Sequence, residues 1–328
     1  MKLRRAALAF AALLLFPLAS VAARETAPSP ETGLSERLST IGMVPVGRVG
    51  IATVDLTTGR ETQFRATEAF PMASTVKVAV AVMYLAEVDA GRRSLDRMIA
   101  LDETLRSGLD GIGQDLPHAG VTLSAANLIH LMLTLSDNTA TDVLINDLGG
   151  TAKVGAWLVA HSVESVRIDR NIARLVLDNL GLPMMTGKTA AQTLWASDPL
   201  PEAARAQAVA AFDRDPRDTA SPAGMAHFLA RIDRGEFLKP SSQAFLISTM
   251  TKCKTGPDRI KGLLPEGTIV AHKTGTLSGL SDDVGIVTLP NGRKFVIAVF
   301  TMGIADGPAR AKIIAEAART AYDFYATR

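Results

Sequence analysis

Strand-like patterning in this chain is confined to its two ends, with a long helical stretch between them. Residues 46–54 alternate in character, break at Leu56-Thr57-Thr58-Gly59 and resume through Phe64, which predicts a hairpin. Three more strands are predicted at 268–273, 283–289 and 294–301, with Pro290-Asn291-Gly292 turning the chain between the last two. In the middle the period is helical. Residues 74–89 are apolar almost all round and stop before Gly91, which predicts a buried helix. Leu128, Leu131, Met132 and Leu135 share one helical face, and 139–148 restarts the pattern before Gly149-Gly150. Helices are also predicted at 35–41 and 308–325. Strands from opposite ends of a chain complete their hydrogen bonds by meeting in one sheet. The expected fold is therefore α+β: an antiparallel sheet of about five strands built from both chain ends, flanked by helices, with an all-helical lobe at roughly 74–265. At 328 residues and 47% hydrophobic composition the chain can bury a sizeable core, which excludes a disordered protein or a disulfide-stapled miniprotein.

The amino terminus carries an address. Lys2, Arg4 and Arg5 precede an apolar run from residue 6 to 19, and Ser20-Val21-Ala22-Ala23 follows, which predicts a cleaved secretory signal over residues 1–23 and one domain over 24–328. The run is short for a membrane span, so no stable membrane insertion is expected after cleavage. Export, to a periplasmic location, is the expectation. The whole chain has 35 Lys and Arg against 33 acids, and losing the three leader bases leaves 32 against 33, a net charge of −1. Such a chain has no general electrostatic reason to bind nucleic acid. Cys253 is the only cysteine, so no intrachain disulfide can form, and it is read as an inert core thiol. The five histidines (His118, His130, His161, His227 and His272) show no metal-ligand spacing and are read as structural, so neither metal nor cofactor is expected.

Three short motifs carry chemistry only in combination. In Ser74-Thr75-Val76-Lys77 the lysine stands one helical turn from the serine, within reach of its hydroxyl. A serine is a poor nucleophile until a neighbour takes its proton, and a lysine does so only where burial or nearby positive charge lowers its proton affinity. Ser136-Asp137-Asn138 falls where one helix ends and the next begins, where the same residues also serve as caps. Lys273-Thr274-Gly275-Thr276 ends a predicted strand, with Gly275 letting a ligand approach the backbone. A lysine, a hydroxyl and free amides along a strand edge suit a carboxylate and a reacting carbonyl oxygen. Lys254-Thr255-Gly256 repeats the motif, but Pro257 follows it and no clear strand precedes it, so it is rejected as an active-site element.

In this order the three motifs resemble the signature set of class A β-lactamases and their penicillin-binding relatives. Pro71-Met72-Ala73, Ser136-Asp137-Asn138-Thr139-Ala140, Arg217-Asp218-Thr219-Ala220-Ser221-Pro222 and the stretch from Thr255-Gly256 to Gly262-Leu263-Leu264-Pro265 are similar to that family too. The resemblance implies an acyl-enzyme site for a small β-lactam substrate. Ser74 would be the nucleophile, Lys77 its proton-handling partner and Ser136 the shuttle to the departing nitrogen. Lys273 and Thr274 would hold the substrate carboxylate and Asn138 its side-chain amide, while the Ser74 and Thr276 amides, with Gly275 between strand and ligand, would form the oxyanion hole. Nothing in the sequence suggests more than a monomer.

The pattern breaks on the Ω loop, where the family carries an Arg-x-Glu-x-x-Leu-Asn run whose glutamate activates the deacylating water. Here the stretch reads Arg170-Asn171-Ile172-Ala173-Arg174-Leu175-Val176, so Ile172 stands at the glutamate position and Val176 at the asparagine position. The loop's Arg–Asp brace maps to Arg170 and Asp218, with an insertion at roughly 177–215 expected to form a helical cover. Replacement bases to consider are Asp169, Asp178 and Glu164, or Lys77 and Ser136 themselves. The loss predicts slow or atypical deacylation. It keeps open a β-lactam-binding acyl trap or sensor, and a peptidoglycan peptidase or small-ester hydrolase using the same serine.

Overall fold

The computed structural model describes residues 30–106 and 111–328. The leader read at 1–23 lies outside them. The central sheet has five strands, all antiparallel, in the order Glu61–Phe64, Arg48–Asp55, Lys294–Met302, Leu280–Thr288 and Ile269–Leu277. The two ends of the chain join in register, from Arg48 opposite Met302 to Asp55 opposite Phe295. This is the α+β architecture expected from the end-to-end patterning.

Both faces of the sheet are covered. Side chains alternate across a strand, and Val49, Ile51, Phe295, Ile297 and Val299 pack in one cluster with Ile314, Ala317 and Ala318 of the closing helix Gly307–Ala326. The helix Pro30–Gly42 adds Leu34 and Leu38 to that cluster. On the opposite face Ala52, Val54, Val296, Ala298 and Phe300 belong to a larger cluster shared with the helical lobe. The helix Lys77–Asp89 runs through that cluster with every residue from Lys77 to Leu85 buried.

Two boundaries differ from expectation in ways that matter below. Ile269–Leu277 runs four residues beyond the predicted strand end, because its ladder with Leu280–Thr288 continues to Leu277 opposite Leu280. The predicted helix over 74–89 is two pieces, a 3-10 turn at Ala73–Val76 and the α-helix Lys77–Asp89. Among the described residues, no helix is long and apolar enough to cross a membrane.

Candidate active site

The nucleophile candidate sits on a strained turn. Ala73 adopts φ +43°, a left-handed conformation that costs a non-glycine residue about 1 to 3 kcal/mol. It is held there by the Met72 amide donating to the Asp218 carbonyl, while the Thr75 amide and hydroxyl both donate to the Met72 carbonyl. In the 3-10 turn that follows, side chains three apart eclipse, so Ser74 and Lys77 stand on one line. Ser74 is partly exposed, whereas Lys77 is completely buried.

The loop between two helices of the lobe supplies the second motif. Ala125–Thr134 ends, Ser136 turns the chain at φ +61°, and Asn138–Asp147 begins. Asp137 is the cap that its residue type suggests: its carboxylate accepts the Ala140 amide at 2.7 Å and the Ile112 amide at 2.7 Å. With Asp137 committed to the fold, Ser136 and Asn138 face the lysine. The Lys77 ammonium donates to the Ser136 carbonyl, to Ser136 Oγ at 3.2 Å and to Asn138 Oδ1 at 2.7 Å.

The edge strand brings the third motif. Lys273 is fully buried and donates to Ser136 Oγ at 3.0 Å and to the Thr274 carbonyl at 2.8 Å. Ser136 Oγ is thus the meeting point of both lysines. Burial pushes the Lys273 ammonium down to about 8, against the opposing pull of Cys253 and Asp283. Gly275 is what lets the strand lie against the nucleophile turn: a Cβ there would stand 2.7 Å from the Met72 carbonyl oxygen and 3.2 Å from Ala73 Cβ. Thr276, next along, is exposed.

Three supporting groups escape a reading of motifs alone. Arg259 is buried and donates to the Gly275 carbonyl at 2.8 Å, the Asp282 carbonyl at 3.0 Å and Thr276 Oγ1 at 2.7 Å, placing a fixed cation under the strand. Its only sequence signal is a lone arginine in the stretch after Thr255-Gly256. The Lys254-Thr255-Gly256 segment lies against the Lys273-Thr274-Gly275 strand, with the Thr255 and Thr274 hydroxyls 2.5 Å apart. Asp142, on the helix Asn138–Asp147, is buried and accepts the amides of Ile172 at 2.6 Å and Ala173 at 3.0 Å.

Behind the strand, His272 faces away from Lys273 and pairs with Asp283 at 2.8 Å, both fully buried. Burial alone would lower the imidazole, but the charge and hydrogen bond of Asp283 carry it up to about 9. Cys253 is buried, as expected of a core thiol, yet its surroundings are polar: its sulfur lies 3.3 Å from Thr255 Oγ1. Burial would raise the thiol, and the neighbouring His272, followed by Lys273, brings it down to about 6 instead.

The three acids weighed as replacement bases are engaged elsewhere or face solvent, while Lys77 and Ser136 stay in the site. Asp169 accepts Arg167 at 2.7 Å and the Asp218 amide, Asp178 pairs with Arg170 and Arg174 at 2.7 Å each, and Glu164 is exposed. The Arg170–Asp218 brace is present, 2.5 Å apart and buried. Ile172 is buried at the first position of the helix Ile172–Leu180, capped by Asn171. The helices Ala190–Ala196 and Glu202–Asp213 follow. Ala191 and Leu194 join Ala173 and Leu177 in a small cluster apart from the main core, and Trp195 is 59% exposed.

The site sets a partly exposed serine one turn from a buried lysine that donates to Ser136 and Asn138. Comparison with known proteins gives the family. Residues 33–325 match the β-lactamase enzyme family. The chain is 29% identical over 267 residues to the extended-spectrum β-lactamase PER-1 of Pseudomonas aeruginosa, covering 78% of this chain and 76% of that one. It is 28% identical over 295 residues to β-lactamase CTX-M-8 of Citrobacter amalonaticus, covering 89% of each. Among solved structures, a β-lactamase from Chitinophaga pinensis superposes with TM-score 0.72 at 28% identity, covering 90% of this chain and 99% of that one. An ancestral class A β-lactamase gives TM-score 0.70 at 31% identity, with the same coverage. The chain belongs to the β-lactamase enzyme family and is a class A-like serine hydrolase.

Proposed function

We propose that this protein opens β-lactam rings through an acyl-enzyme on Ser74 and releases the product slowly. The observation that carries the reading is the convergence of Lys77 and Lys273 on Ser136 Oγ, at 3.2 and 3.0 Å. Ser74 Oγ attacks the lactam carbonyl carbon and its proton passes to neutral Lys77. The carbon–nitrogen bond breaks as the Ser74 ester forms, and the proton reaches the departing nitrogen by way of Ser136. Amides of Ser74 and Thr276 stabilise the oxyanion. Lys273 and Thr274, backed by Arg259, hold the substrate carboxylate, and Asn138 the side-chain amide. Water then cleaves the ester, releasing the ring-opened acid and restoring the Ser74 hydroxyl.

The slow second step rests on Ile172, an aliphatic side chain where the family resemblance places the water-activating carboxylate. The engagement of Asp169 and Asp178 in ion pairs also favours an acyl trap over a fast hydrolase. We read residues 1–23 as an export signal, residues 24–328 as one exported, periplasmic, monomeric catalytic domain, and 177–215 as its added cover. Stopped-flow ring opening of a chromogenic cephalosporin tests the order of the steps. A burst close to one equivalent, followed by a slower steady rate, is expected, and Ser74→Ala abolishes both phases. A wild-type trace linear from the first turnover would contradict slow deacylation, and ring opening that survives Ser74→Ala would contradict the mechanism.

A further inference from the structure

The segment added after Arg170 walls a cavity of about 550 Å³, the size of a small-molecule site. Glu103, Arg106 and Gly113 line it on one side, and Lys188, Gln192 and Trp195 on the other. The two sides are tied together, since the Thr189 hydroxyl donates to the Thr104 carbonyl at 2.7 Å. Gly113 belongs to the short helix Gly111–Asp115, whose Ile112 amide is held by Asp137 at 2.7 Å. The cavity wall and the loop that carries Ser136 therefore share a brace.

Arg106 is the anomaly. Its side chain is buried, and Nη1 and Nη2 donate to the Leu116 and His118 carbonyls at 2.8 Å each, while Nε finds no acceptor. Those carbonyls are neutral, and among the described residues no carboxylate pairs with this guanidinium. A buried charge without a counter-charge is costly, and an anion in the cavity would supply one. Glu103 is the single carboxylate on the lining and is exposed, where solvent screens it, and Lys188 adds a second exposed cation. The Gln192 side-chain carbonyl accepts the Thr189 amide at 3.0 Å, which leaves its NH₂ group to donate to a ligand. Trp195 follows one turn later on the same face of the helix Ala190–Ala196 and is exposed. A guanidinium fork matches a carboxylate, and an indole face matches a flat ring. We propose that this cavity binds a small aromatic carboxylate, with the carboxylate on Arg106 and Gln192 and the ring against Trp195.

The test is calorimetric titration of the intact chain with benzoate. Saturable binding is expected, with benzamide, the uncharged isostere, at least about tenfold weaker. Cyclohexanecarboxylate, which keeps the charge and loses the flat ring, should be at least about threefold weaker. Trp195→Ala, a change at an exposed position, should weaken benzoate by about threefold or more and erase its advantage over cyclohexanecarboxylate. Arg106→Gln should erase the advantage over benzamide. Absence of saturable binding, equal affinity for benzoate and benzamide, or an unchanged affinity in Trp195→Ala would each overturn the proposal, and none of these readings needs Arg106→Gln to fold. Free aromatic acids and the carboxylated phenyl side chain of a penicillin carry the same chemistry. On the function proposed above, saturating benzoate should slow acylation by α-carboxybenzylpenicillin more than by benzylpenicillin if the substrate side chain occupies the cavity, and equal effects assign the cavity to a free acid. A chain that is never acylated would refute the proposed function, while the calorimetry would still decide the cavity.

Discussion

The motif side of the site and the segment after Arg170 are built on different terms. On the motif side, each polar group is carried by an element anchored in the main core. Ser74 and Lys77 come from a turn and the first residue of a buried helix, Ser136 from the break between two helices, and Lys273 from a strand paired along its whole length. After Arg170, Ile172, Leu175 and Phe212 still reach the main core, but an ion-pair network and a small separate apolar cluster share the work of ordering the segment. Arg170 contacts Asp218, Asp178 and Asp215, and the following helices close over Ala173, Leu177, Ala191 and Leu194. The contrast shows where a fold of this kind can change. The atoms proposed to form the acyl-enzyme are cross-braced by the core, and a substitution there disturbs several elements at once. The region proposed to govern its breakdown is rooted in the core at Ile172 but extends into helices that lie away from the sheet.

The largest effect that would sharpen this contrast is Ile172→Glu. The first turn of a helix favours an acidic residue. A general base restored at this position should speed loss of the acyl group by about 100-fold or more, read as decay of a penicillin adduct. Decay no faster than in the wild type would mean that residue 172 is not what limits deacylation. Next comes the brace. Asp218→Ala removes a buried carboxylate from Arg170 and from the Asp169 and Arg170 amides, and leaving a buried charge short of its partner costs about 3 to 5 kcal/mol. Urea unfolding followed by circular dichroism measures this, and a loss below about 1 kcal/mol would show that the network does not hold the segment.

A smaller effect probes the back of the motif side through pH. His272 is raised from 6.5 to about 9, so its contribution is fully present below 6.5 and fades as pH rises through 9. Cys253 is lowered from 9 to about 6, so its contribution is present above 9 and fades as pH falls through 6. The two trends oppose each other between these values. In Cys253→Ser the opposing thiol trend is gone, and between about pH 6.5 and 8, below the range where Lys273 titrates, stability should decline more steeply than in the wild type. Parallel thermal-melting curves for the two chains would show that the thiol and imidazole are not linked.

The sheet is legible in the sequence because its strands are rich in β-branched and apolar residues and bounded by turn residues, and the three motifs because they are short and ordered along the chain. What stays hidden arises from approach between distant segments. Asp142 is one more polar position in a periodic helix until the start of the helix Ile172–Leu180 is seen resting on it. Arg259 has no pattern around it, and its place under Gly275 and Thr276 follows from a loop crossing behind the strand. The motif at Lys254-Thr255-Gly256 lacks a preceding strand, and no local pattern hints that Thr255 meets Thr274. The break between the 3-10 turn and the helix at Lys77 is also invisible, since apolar periodicity does not distinguish the two over four residues.

Slow release from Ser74 is tested most directly by the intact mass of the mature protein against time after mixing with a penicillin. A rapid gain of one penicillin mass is expected on the wild type, with a lifetime well beyond the time of acylation, and no gain on Ser74→Ala. A wild-type protein that turns the penicillin over without ever accumulating the adduct, or a Ser74→Ala chain that still gains the mass, would contradict it.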